Sequence, residues 1–106
     1  MRRRVTFHSL QRLRERLPPG PLIKMNAFEL QIWVNEQIDL AIDRGDTHAV
    51  LDNNVPTDIV RFTIGHEPVY ALVRNCEERA DRRVVVTVLD QRMHDRNRDC
   101  RWQELA

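Results

Sequence analysis

A chain of 106 residues has room for one domain with a modest core, and 42% hydrophobic residues including two Trp argue for a globular fold over disorder. No apolar run approaches the ~20 residues that span a bilayer. The arginines at 2–4 lack the apolar stretch of a secretory signal, so the expected address is the cytoplasm, with no membrane partner. The formal charge of +1 hides a polarised layout: residues 1–25 carry seven basic side chains against Glu15, and residues 26–59 carry seven acidic ones against Arg44.

Residues 1–5 read as a basic N-terminal arm. Arg2, Arg3 and Arg4 would add salt-sensitive affinity for phosphates, or would simply form a solvated terminus. A first helix is predicted over 7–17, with Thr6 as N-cap and Phe7, Leu10, Leu13 and Leu17 on its apolar side. Pro18-Pro19-Gly20-Pro21 ends it. A second helix opens at Asn26, with Glu29 three residues on as in a capping box. It repeats Leu30, Val34, Ile38 and Ala41-Ile42 at helical spacing and stops at Gly45. Trp33 interrupts its polar side. If exposed it marks a protein interface; if buried it enlarges the core.

After Gly45 the pattern changes to short segments rich in β-branched and aromatic residues, over 47–51, 58–64, 69–75 and 83–89. Turn signals at 52–56 and 65–68 and a charged run at 77–82 separate them. Such short connections favour antiparallel neighbours. Val84–Val88 is apolar on both faces except at Thr87, as in a central strand. Residues 91–106 read as a charged C-terminal tail that Trp102 tethers. The predicted fold is α+β: one domain, with two N-terminal helices packed on one face of a four-stranded, mainly antiparallel sheet.

The residues that suggest chemistry are His8, Arg12 and Arg16, four apart and therefore on one stripe of the first helix. A His moves protons and Arg grips phosphate oxygens with two N–H groups at once. The competing explanation is a solvated charged face, since the stripe points away from the apolar side. Tyr70 and Arg74 share a face of the third strand. They and Arg61 would join a site that binds a phosphodiester, or Tyr70 would pack with its hydroxyl at an edge. Thr87 taken alone reads as an ordinary half-buried strand residue. His66 is a spare candidate at a hairpin tip, and His48 and His94 read as incidental. Cys76 and Cys100 are too far apart for a metal motif and are expected as free thiols. No metal and no cofactor is called for.

The order of elements resembles the RelE/barnase-like small ribonuclease toxins, and in particular relatives that open with a His-Ala-x-x-Arg-x-x-x-Arg helix. The matching residues are His8-Ser9-Leu10-Gln11-Arg12-Leu13-Arg14-Glu15-Arg16 and the closing strand Val84-Val85-Val86-Thr87-Val88-Leu89. The likeness spans roughly residues 5 to 90; the segment 18–25 is longer than usual, and the tail beyond Asp90 has no counterpart. The resemblance implies metal-independent cleavage of RNA by the ribose 2′-hydroxyl. His8 would transfer the proton, Arg12 and Arg16 would hold the phosphate, and Thr87 would lend its hydroxyl. It also implies a cognate inhibitor, for which the acidic second helix with Trp33 is a docking face. A different reading is a non-catalytic binding protein, encoded by a phage or mobile element, that occupies a host protein from the same scaffold. A DNA-binding regulator is a weaker option, because 18–21 is too rigid and long for a helix-turn-helix turn.

Overall fold

A computed structural model describes residues 3–16, 24–76 and 82–105. The chain runs β1 (Arg4–Val5), α1 (Phe7–Arg16), α2 (Ala27–Arg44), β2 (Thr47–Asp52), β3 (Val55–Ile64), β4 (Glu67–Asn75), β5 (Arg83–Asp90), α3 (Gln91–Cys100) and β6 (Trp102–Glu104). The α+β class holds, but the described residues form three helices and six strands in place of two and four. The sheet is mixed, in the order β1-β5-β4-β3-β2-β6, with β1 parallel to β5 and the other pairs antiparallel.

The predicted caps are present. The Thr6 hydroxyl accepts from the Ser9 N–H at 3.1 Å, and Asn26 and Glu29 close a reciprocal capping box. Gly45 ends α2 in the left-handed region at φ 78°, where a side chain is strained. The turn at 52–56 is tighter than its composition suggests. Asn53 and Asn54 both take positive φ, 51° and 64°, as a two-residue hairpin with matched twist requires. The strands therefore extend to Asp52 and Val55.

Two cores lie on opposite faces of the sheet. Leu10 and Leu13 of α1 and Leu30, Val34, Ile38 and Ala41 of α2 bury Val60, Phe62, Val69, Ala71, Val85 and Val88. The other face holds Val50, Ile59, Tyr70, Leu72, Leu89 and, from the edge strand β6, Trp102, beneath α3. Helices thus cover both faces, and the predicted tail is an integral layer. Its sequence hid it: among the residues of α3 only His94 is buried, so no apolar periodicity marks the helix.

Two further expectations change, at Phe7 and in the basic arm, and the alternative left open at Trp33 is decided. Phe7 is 82% exposed, not part of the apolar side of α1. Trp33 is half-buried and meets Phe62 edge-on, ring centroids 5.9 Å apart, so it enlarges the core. The basic arm is not loose at Arg3 and Arg4. Arg4 pairs with Val84 across β1–β5, and the Asn35 side chain both donates to and accepts from the Arg3 backbone, as a neighbouring strand would. That amide covers the outer edge of β1 with a helix, a usual protection against edge-to-edge pairing. Arg2, Leu17 and the 18–21 breaker lie outside the described residues. Among the described residues no helix is long and apolar enough to cross a membrane.

Candidate functional site

The face beneath α3 carries a cavity of about 420 Å³ lined by His8, Asp52, Leu72, Arg74, Val86, Thr87, Leu89, Met93, Asn97, Arg101 and Trp102. Its shape begins with a bulge. Val85 pairs with Val73 and Thr87 with Leu72, which leaves Val86 as an extra residue in β5. A bulge re-aims side chains and interrupts the ladder. Here Val86 and Thr87, although consecutive, both line the cavity.

The bulge also fastens α1. The Val85 carbonyl accepts from the Thr6 N–H at 3.2 Å and from the Ser9 hydroxyl at 2.9 Å, and the Val86 carbonyl accepts from the Thr6 hydroxyl at 3.3 Å. Ser9 is fully buried by this arrangement. The first turn of α1 is thereby held at the cavity rim, and His8, in that turn, faces the same space as Thr87.

On the opposite wall stands a buried carboxylate. Asp52 is 3% exposed, accepts from Arg101 Nε at 2.7 Å and is bonded by Arg74 Nη2. Arg74 Nε donates to the Thr57 hydroxyl at 3.0 Å. One carboxylate between two guanidinium groups leaves a local excess of one positive charge, and each Arg keeps N–H donors beyond those used on Asp52 and Thr57. Fixed donors in a partly buried setting suit an anionic, multi-oxygen group.

The third wall is α3. Its N-cap is Asp90, whose side chain accepts from the Met93 N–H at 2.8 Å. Met93, Asn97 and Arg101 then follow four apart, on one stripe that lines the cavity. His94, beside that stripe, points into the protein. It stacks on Tyr70 at 3.8 Å between centroids, meets Trp102 and His48 edge-on, and contacts Asp95 Oδ1 through Nδ1 at 3.0 Å. That contact, ahead of one from Gln91, holds the Asp95 carboxyl below its ordinary range. Burial lowers His48 below its usual 6.5; Glu104 opposes the shift, and His94 and Arg98 add to it.

Of the residues singled out by sequence, the cavity gathers His8, Thr87 and Arg74. Arg12 is not among its lining; its Nη1 donates to Glu15 at 3.0 Å on the exposed side of α1. Geometry separates the ladder, since each step of four residues rises about 6 Å along the helix axis. Arg16 closes α1, and its side chain lies outside the described part of the structure. Tyr70 is buried beneath His94, its hydroxyl donating to Gln91 Oε1 at 2.7 Å, so it holds the fold and is closed to a ligand. Arg61 and the hairpin-tip His66 are exposed and line none of the described cavities. Arg3 is committed to Asp39 at 2.7 Å, while Arg4 reaches this face of the sheet.

Comparison with known proteins found no matching family model, no matching curated protein and no matching solved structure.

Sequence reasoning missed Asp52, Asn97 and Arg101. Asp52 read as a turn residue, and the α3 pair sat in an apparent tail. The Met93-x-x-x-Asn97-x-x-x-Arg101 spacing behind a capping Asp90 was the available signal. Among the described residues no three His, Cys, Asp or Glu side chains stand together as a metal site.

Proposed function

We propose that this protein is a small endoribonuclease that cleaves RNA by attack of the ribose 2′-hydroxyl on the adjacent phosphorus, without a metal. The observation that carries the reading is that His8, Thr87 and the Arg74–Asp52–Arg101 cluster line one cavity. The resemblance to the RelE/barnase-like toxins agrees with it through His8 and Thr87. In place of Arg12 and Arg16, however, the phosphate clamp is Arg74 and Arg101.

His8 takes the proton of the 2′-hydroxyl as the new O–P bond forms. The bond from phosphorus to the 5′-oxygen breaks, leaving a 2′,3′-cyclic phosphate and a 5′-hydroxyl that gains its proton from water. Negative charge accumulates on the phosphoryl oxygens at the crossing point. Arg74 and Arg101 are already oriented by Asp52, so they meet that charge without reorganising, which is the main source of such rate enhancement. Thr87 adds a hydroxyl donor.

The test is purified protein on a single-stranded RNA in the presence of a chelator. The wild type is expected to yield cyclic-phosphate ends, and His8→Ala to lose about 100-fold or more of the rate, as removal of a proton-transfer group does. Intact RNA with the wild type, or an undiminished rate in His8→Ala, overturns the reading.

A further inference from the structure

The His8 cavity does not end at Arg74. A second hollow of about 250 Å³ continues from it on the same face, lined by Arg4, Val55, Asn75 and Val84 and sharing Arg74 and Val86 with the first. The shared residues make one groove that runs along β4 and β5. The register places its ends: Arg74 faces Val84, which in turn faces Arg4 across the parallel pair, while Leu72 faces Thr87 at the catalytic end. From Val84 to Thr87 the strand covers about 10 Å at ~3.3 Å per residue.

The chemistry along this path alternates. Val84, Val86 and Leu72 give an apolar floor, and Val55, 40% exposed, gives an apolar rim. Cations stand at the joint, Arg74, and at the far end, Arg4. Arg4 is exposed, and among the described residues no hydrogen bond or ion pair engages its guanidinium. An apolar floor with spaced cations matches the faces of unstacked bases and the phosphates that link them. A duplex hides its base faces and cannot use such a floor.

Resting on the ribonuclease reading, we propose that the groove binds an unpaired RNA strand across more than one nucleotide, with Arg4 holding a phosphate outside the scissile one. Arg4 is therefore a substrate-binding residue that leaves the chemical step alone. The specificity this produces is for length and single-strandedness.

The experiment compares a dinucleotide, a short single-stranded oligonucleotide and the same oligonucleotide annealed to its complement, with wild type, Arg4→Ala and Arg4→Lys. The single strand is expected to exceed the dinucleotide about tenfold in kcat/KM, a gain of about 1.4 kcal/mol. Arg4→Ala removes most of that gain through KM, leaves kcat and the dinucleotide rate unchanged, and Arg4→Lys restores part of it. Equal rates on dinucleotide and oligonucleotide, equal loss on both in Arg4→Ala, or no preference over the duplex overturns the groove while leaving cleavage standing. Binding of the His8→Ala protein, followed by fluorescence anisotropy, separates the two ideas. Tight, Arg4-dependent binding with no cleavage by the wild type sustains the groove and sinks the nuclease, no binding with cleavage by the wild type sinks the groove alone, and neither binding nor cleavage sinks both. Displacement of the RNA by polyglutamate at equal concentration also overturns the groove, because it points to an acidic protein partner.

Discussion

Asp52 is the residue on which the cavity wall depends. It sits at the end of β2, 3% exposed, between Arg74 and Arg101. Removing a buried partner leaves the remaining charges without their counter-ion, which costs more than the pair contributes. Asp52→Ala is expected to destabilise the protein by about 2–4 kcal/mol, discounted from the fully buried case because Arg101 is half-exposed. Arg101→Ala should cost about 1 kcal/mol. Urea unfolding of both variants checks the order; a smaller cost for Asp52→Ala than for Arg101→Ala would show that the carboxylate is not the organising group. Ser9 acts on the other wall. Its hydroxyl is the buried bond that fixes the first turn of α1 to the bulge. Ser9→Ala should lower stability by about 1–2 kcal/mol and displace His8, with any RNA cleavage falling further than stability explains.

At the scale of elements, the sequence pattern concealed the layer formed by α3 and the edge strand β6 that follows it. α1, α2 and the four longer strands were legible because their periodicity and caps agree with their tertiary roles. β1 is two residues long, and β6 three, too short for any period to register. The bulge at Val86 was invisible because a run of valines looks the same with or without an extra residue. The site followed the same rule. His8 was found through its helical spacing with Arg12 and Arg16 and Thr87 through the resemblance, whereas Asp52, Asn97 and Arg101 depend on a tight hairpin and a polar helix that only long-range packing defines. That layer is held by Trp102, buried against His94. Trp102→Ala, a loss of about 3–5 kcal/mol for a buried aromatic, should speed amide exchange across Gln91–Glu104 well before it does so in β3 and β4. The layer is also sensitive to pH. His48 is depressed below 6.5, chiefly by burial, so the unfolded chain takes up its proton first. The stability it contributes is complete above pH 6.5 and is lost as pH falls through the folded value. The urea midpoint should decline between neutral pH and pH ~5 more steeply in wild type than in His48→Asn; parallel declines would assign the effect to other groups.

Over the whole molecule, the basic stretch 1–25 and the acidic stretch 26–59 are joined by an ion pair. Arg3 of the basic end binds Asp39 of the acidic helix, and the net charge is only +1. A net charge this small gives little long-range attraction for polyanions. On the proposed function, affinity for RNA must then come from the few cations that line the groove, Arg4, Arg74 and Arg101, with Asp52 offsetting one of them. Each phosphate neutralised on a single strand contributes a slope of about −0.7 to the dependence of log K on log salt, so two to three cations give roughly −2. Anisotropy titrations of the His8→Ala protein with a single-stranded RNA across a series of KCl concentrations measure that slope directly. Arg4→Ala should make it shallower by about 0.7. A slope several times steeper would mean that a wider basic surface holds the RNA. The groove would then be one contact among many, and the polarity of the chain would matter for binding as well as for folding.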